Sequence, residues 1–145
     1  GKIQKVFNVK DGLGLKLLQK NGIKLAFLSG GSNGATNARA NDLGIDSCLT
    51  GIKDKSKAII ELQRKFGINR SETAYIGDDL NDIVVFPHVS LLIATKDAEK
   101  TLINKSQLTL NNKGGNGAIR EFAERFLKLN SKWKEYCEFG WKDLN

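Results

Sequence analysis

Residues 73–82 read Thr-Ala-Tyr-Ile-Gly-Asp-Asp-Leu-Asn-Asp, and this stretch restricts the fold more than any other. The apolar run at 74–76 reads as a buried strand. It stops at Gly77 and sets three carboxylates, Asp78, Asp79 and Asp82, within five residues. Like charges this close make one another harder to ionise. A cluster of that kind at a strand end calls for a cation, and carboxylate oxygens suit a hard ion such as Mg2+. Asp79 or Asn81 also suits the N-cap of a following helix, but two adjacent aspartates and a third exceed what a cap requires. In an open α/β sheet, ligands gather at the carboxyl ends of the strands.

The rest of the chain alternates strand and helix signals. Residues 3–9 read as a strand of mixed polarity, one arm of a hairpin. Asp11 then caps a helix carrying Leu13, Leu17 and Leu18, closed by Gly22. Residues 23–28 form the next strand and end at Ser29-Gly30-Gly31. A helix with Ala35, Ala38 and Leu43 on one side runs to Gly44, and residues 47–49 form a short strand. Asp54 caps an amphipathic helix with Ala58, Ile59, Leu62 and Phe66 inward, ended by Gly67. After the carboxylate strand come a brief helix at 80–86 stopped by Pro87, a strand at 90–93 and a short helix at 97–104. A strand at 107–110, a glycine-rich loop at 113–117 and a helix at 118–129 follow. Residues 1–129 form one domain, and 130–145 a tail whose Trp133, Tyr136, Phe139 and Trp141 serve packing or an interface. The alternation predicts an α/β, Rossmann-like, mostly parallel sheet with helices on both faces.

Composition narrows the function classes. With 145 residues, 40% of them apolar and 27% charged, the chain is long enough for one globular core. The 23 Lys and Arg against 16 Asp and Glu give a net charge of +7, spread without a basic block. No basic stripe with interleaved aromatics marks a nucleic-acid partner. A solvated surface, or attraction of a small anionic substrate, fits the charge. Cys48 and Cys137 lack any zinc or disulfide spacing, which fits a reducing cytoplasm. No apolar run approaches the roughly 18 residues of a membrane span, and no signal peptide opens the chain.

Two further strand ends carry phosphate chemistry. At Ser29-Gly30-Gly31, a hydroxyl and backbone without Cβ let N–H groups approach a phosphate, though a tight βα turn uses the same residues. No Lys-Ser/Thr follows as in a Walker A loop, and Gly12-Leu13-Gly14 lacks the third glycine of a dinucleotide fingerprint. Lys55 follows the cap Asp54 and so sits at the positive end of a helix dipole. That placement suits a cation aimed at phosphate as well as a solvated lysine. His88, the one histidine, follows Pro87 in a turn and reads as a surface residue, not a base.

The order Ser-Gly-Gly, then Lys55 at a helix start, then Gly-Asp-Asp-Leu-Asn-Asp resembles the haloacid dehalogenase-like phosphatases. Phe-Asn-Val-Lys-Asp-Gly-Leu-Gly at 7–14, the stretch at 74–82 and Lys-Gly-Gly-Asn-Gly-Ala-Ile-Arg-Glu at 113–121 look like the capless 3-deoxy-D-manno-octulosonate 8-phosphate phosphatases. The C-terminal domain of some acylneuraminate cytidylyltransferases shares these patterns. The resemblance runs from about residue 2 to 129. It implies a Mg2+-dependent phosphomonoesterase of small anionic sugar-acid phosphates, working through an aspartyl-phosphate. By the same resemblance Ser29, with Gly30 and Gly31, binds the transferring phosphoryl group, and Lys55 neutralises its equatorial oxygens. Asp78 ligates Mg2+, with Asp79 and Asp82 close behind. A homotetramer is implied, with 113–120 and the aromatic tail near a neighbour's site. A non-catalytic, oligomerising domain of a cytidylyltransferase is the alternative.

Two departures from the family pattern carry expectations of their own. The nucleophile motif Asp-x-Asp-Gly does not occur. In the family it lies on a central strand between those ending at Ser29 and Asp78. The chain is therefore expected to be part of a longer product, to leave its sheet open there, and to be inactive alone. Gly31 stands where the family has Arg, which removes a bidentate anion contact.

Overall fold

Two groups of parallel strands organise the computed structural model, which describes residues 4–32 and 34–142. Strand β1 (Ala26–Leu28) pairs with β2 (Ser47–Leu49), Ala26 opposite Ser47 and Leu28 opposite Leu49. Strands β3 (Ala74–Gly77), β4 (Leu91–Ala94) and β5 (Leu108–Thr109) form the second group in that order. Helices α1 (Val9–Lys20), α2 (Gly34–Leu43), α3 (Lys55–Phe66), α4 (Lys100–Lys105), α5 (Ala118–Leu129) and α6 (Trp133–Phe139) surround them. Among the described residues no strand pairs with the free edge of β1 or of β3, and Ala26 and Ala74 are exposed there. Among the described residues the strands ending at Ser29 and at Asp78 thus belong to separate groups.

Helix α3 follows its local signals. Asp54 accepts from the Ser56 N–H, Gly67 closes the helix in the left-handed region at φ 63°, and Ala58, Ile59 and Leu62 are buried. Arg64 and Lys65 in the last turn suit the helix dipole. Ile59 packs with Val85, Val89, Leu92, Ala94 and Leu102, and Leu28 and Tyr75 lie against that cluster. Ile93, Leu110 and Ala118 form a second cluster on the other side of β4. Burial of β4 on both faces makes it the anchor of the fold, each large side chain there contributing about 1.5–3 kcal/mol.

Several local expectations change. Residues 4–8 form no strand, and Asn8 caps α1 by accepting from the Asp11 N–H at 3.1 Å; residue 3 lies outside the described residues. A strand arm needs a ladder partner, and Val6 stands 91% exposed without one. Asp11, expected as the cap of α1, is buried in its first turn and caps α5 instead, accepting from Gly117 N at 3.1 Å and Arg120 N at 2.9 Å. The inward face of α2 is Thr36, Ala40 and Leu43, at the i, i+4, i+7 spacing, while Ala38 is exposed. The segment after β3 is a 3-10 helix, Leu80–His88, with Pro87 inside it. Helix α4 begins at Lys100 under the cap of Glu99.

The expected tail contains α6, held to α1 by the Asn21 Nδ2 to Tyr136 hydroxyl bond at 2.9 Å and to α5 by Arg120 over the Trp133 ring. Both cysteines are free. No helix among the described residues is long and apolar enough to cross a membrane.

Candidate active site

Strands running parallel bring their carboxyl ends to one side, and the predicted residues lie after β1, after β3 and at the start of α3. At the end of β1 the Ser29 N–H donates to Leu49 O at 2.9 Å, and Ser29 O accepts from Ile52 N at 3.1 Å. Gly31 O accepts from Gly51 N at 3.0 Å, and the Gly31 N–H donates to Ser29 Oγ at 3.3 Å. Ser29-Gly30-Gly31 is therefore a turn tied on both sides to the segment leading into α3. Gly30 and Gly31 are exposed. A Cβ on Gly30 would stand 3.7 Å from Asn81 Nδ2, so this turn abuts the residues that follow β3.

Asp82 is the centre of the other half. It is 1% exposed. Its Oδ1 accepts from Lys55 Nζ at 2.5 Å and from the Tyr75 hydroxyl at 2.5 Å. Its Oδ2 accepts from Asp78 N at 2.9 Å and Asp79 N at 3.1 Å. Burial works against the charge, but the Lys55 and Tyr75 donors and the Asp78 N–H outweigh it and hold the carboxyl below its usual range. A carboxylate offers about four lone-pair sites, and all four are taken. The expectation that Asp82 ligates a metal does not fit this geometry. It holds Lys55 and the turn instead.

Lys55 is 8% exposed at the first position of α3. Its ammonium, unfavourable for the helix dipole, is compensated by the buried ion pair. Removing one partner of such a pair costs about 3–5 kcal/mol, because the other stays buried and uncompensated. One of its three donors is engaged by Asp82.

Asp78 differs from both. Its backbone O accepts from Glu99 N at 2.8 Å, yet its carboxylate has no hydrogen-bond partner among the described residues. Burial and the neighbouring charge of Asp82 push its carboxyl up, with Lys55 pulling against them. Asp79 caps the 3-10 helix, accepting from Leu80 N at 2.7 Å. The three carboxylates thus divide into an open one, a cap and a buried hub. Among the described residues no group of three or more carboxylate, His or Cys side chains is arranged to hold a metal unaided.

Two residues escaped the sequence. Tyr75 joins the hub, and the only signal was a hydroxyl-bearing aromatic in a strand next to carboxylates. Gly77 is more than a strand stop, since a Cβ there would meet Asp82 Cβ at 2.7 Å and Asp82 Oδ2 at 2.8 Å. His88 takes no part; its carbonyl accepts from Gln63 Nε2 at 2.8 Å. A cavity of about 660 Å3 lies elsewhere, between residues 7–10 and the start of α5.

Comparison with known proteins identifies the family. The family description haloacid dehalogenase-like hydrolase matches residues 9–86. The 3-deoxy-D-manno-octulosonate 8-phosphate phosphatase of Haemophilus influenzae is 36% identical over 132 residues, 91% of this chain and 73% of that protein. The cobalt-bound structure of the Haemophilus influenzae phosphatase superposes with a TM-score of 0.89 at 34% identity, over 94% of this chain and 80% of that one. A Moraxella catarrhalis phosphatase of the same name, in complex with magnesium, phosphate and the sugar acid, gives 0.90 at 36%, over 95% and 79%. The chain belongs to the haloacid dehalogenase-like hydrolase family and is similar to its 3-deoxy-D-manno-octulosonate 8-phosphate phosphatases.

Proposed function

We propose that these residues form the phosphate clamp and metal anchor of a Mg2+-dependent phosphomonoesterase acting on a sugar-acid phosphate of the 3-deoxy-D-manno-octulosonate 8-phosphate class. One observation carries the reading. The Lys55–Asp82 pair at the end of β3 stands on the same side of the molecule as the Ser29–Gly31 turn, beside the Asp78 carboxylate, which has no hydrogen-bond partner among the described residues.

The residues fit the metal. Mg2+ is usually held by one or two carboxylates with waters and substrate phosphate completing the shell. Asp78, crowded by negative charge and unpaired, is suited to be that carboxylate, with Asp79 beside it. When bound, Mg2+ supplies charge neutralisation to a phosphoryl oxygen. Ser29 Oγ and the Gly30 N–H orient the phosphoryl group. Lys55 balances its negative charge with the donors that Asp82 leaves unused. Asp82 keeps the ammonium and the Asp78–Asp79 backbone at a fixed separation. With Gly31 offering no guanidinium, the sugar-acid carboxylate is recognised by other groups.

Among the described residues Asp82 is the carboxylate bonded to Lys55, and none is bonded to Ser29. The free edges of β1 and β3 are suited to a strand between them, and we propose that in the working enzyme such a strand delivers the nucleophile. Exposed Val6, Val9, Leu129 and Phe139 support assembly into a homotetramer. The test is orthophosphate release from 3-deoxy-D-manno-octulosonate 8-phosphate with Mg2+. These 145 residues are expected to release none. Turnover that Asp78→Asn abolishes would contradict the need for a further nucleophile.

A further inference from the structure

Tyr75 does more than fill space behind β3. Its hydroxyl stands 2.5 Å from Asp82 Oδ1, the oxygen that Lys55 Nζ also approaches at 2.5 Å. The other oxygen is occupied by the backbone N–H groups of Asp78 and Asp79. One buried carboxylate therefore divides its charge among β3, the turn after it and the first residue of α3. Burial and the charge of Asp82 push the Tyr75 phenol far above its ordinary range, so it stays neutral and acts as a donor. A donor on Oδ1 disperses negative charge that otherwise falls on Lys55 alone.

We propose that Tyr75 is a positioning residue of the phosphate clamp. By sharing Asp82 Oδ1 with Lys55, its hydroxyl leaves the ammonium partly uncommitted and available to a bound phosphoryl group. The inference rests on the reading of Lys55 as a phosphate ligand. Without the hydroxyl, a phenyl ring occupies the same place on β3, Oδ1 loses one of two donors, and the ammonium is drawn more fully to Asp82.

The test is Tyr75→Phe, read by orthophosphate titration calorimetry in Mg2+ and by the side-chain ammonium 15N resonance of Lys55, identified by its loss in Lys55→Arg. Orthophosphate is expected to bind about fivefold more weakly, the scale of one net hydrogen bond. The Lys55 resonance is expected to shift, and the Mg2+-induced rise in Tm to persist. A Tyr75 that only packs would lower Tm and leave the Lys55 resonance where it was, and an unmoved resonance overturns the proposal whatever the phosphate affinity. If the wild-type chain binds no orthophosphate, the functional reading falls first, and the resonance then decides the positioning role by itself. Should Tyr75→Phe fail to fold, 3-fluorotyrosine in a Tyr136→Phe background gives a stronger donor at nearly the same volume. It is expected to move the Lys55 resonance the opposite way, and no movement again overturns the proposal.

Discussion

At the scale of single residues, the site is governed by which carboxylate has partners. Among the described residues the Asp82 carboxylate has four donors and that of Asp78 none, so the same substitution acts differently at each. Asp82→Ala strands the Lys55 ammonium in a buried place and frees two backbone N–H groups. Its expected cost is about 3–5 kcal/mol, measured by urea unfolding. Asp78→Asn removes a crowded charge and is expected to leave stability equal or slightly higher, while the Mg2+-dependent rise in Tm disappears. Gly77→Ala tests the close approach. A methyl group 2.7 Å from Asp82 Cβ forces the end of β3 away from the hub, at about 1–3 kcal/mol. The placement of Ser29, Lys55 and Asp78 was legible in the sequence because each sits at a strand or helix end. The Lys55–Asp82–Tyr75 hub was not, because 27 residues separate Lys55 from Asp82 and no local pattern encodes a contact made across the fold.

At the scale of elements, helices were read more surely than their tertiary attachments. Helix α3 begins and ends where its cap Asp54 and its closing Gly67 place it, whereas α5 opens after Gly117 with no side-chain cap of its own. Asp11 was misread because its helical first-turn position and its capping role belong to different helices, α1 and α5. Its two bonds, to Gly117 N and Arg120 N, replace the side-chain cap that α5 lacks at Gly117. Asp11→Ala is expected to cost about 1–2 kcal/mol and to loosen the start of α5, checked by hydrogen exchange at Arg120. Asp97 similarly fastens the glycine-rich loop, accepting from Gly114 N at 2.9 Å and Thr95 Oγ1 at 3.0 Å. The Gly114 bond, chiefly, holds its carboxyl below the usual range despite some burial. Stability from a lowered carboxyl is present above the unfolded pKa and lost as pH falls through the folded one. Protection of the Gly114 amide is therefore expected to persist at neutral pH and to fall on acidification below the ordinary carboxylate range; Asp97→Asn should remove that pH dependence.

At the scale of the whole molecule, the parallel α/β architecture was legible from the alternation of strand and helix signals. Residues 4–8 were not legible, since a strand exists only with a ladder partner, and a side chain 91% exposed at Val6 records that none is engaged. Four exposed apolar side chains lead to an expectation about assembly. Light scattering after size exclusion should give about four times the 16.0 kDa chain mass, and a strict monomer at high concentration would remove the tetramer from the reading. The central claim, that Ser29, Lys55 and Asp78 together hold a phosphoryl group beside Mg2+, has a direct measurement in orthophosphate titration calorimetry with and without Mg2+. The expected result is binding strengthened by Mg2+, weakened at least tenfold by Lys55→Ala, and made insensitive to Mg2+ by Asp78→Asn. Orthophosphate binding indifferent to Mg2+ and to both substitutions, or no binding at all, would contradict it.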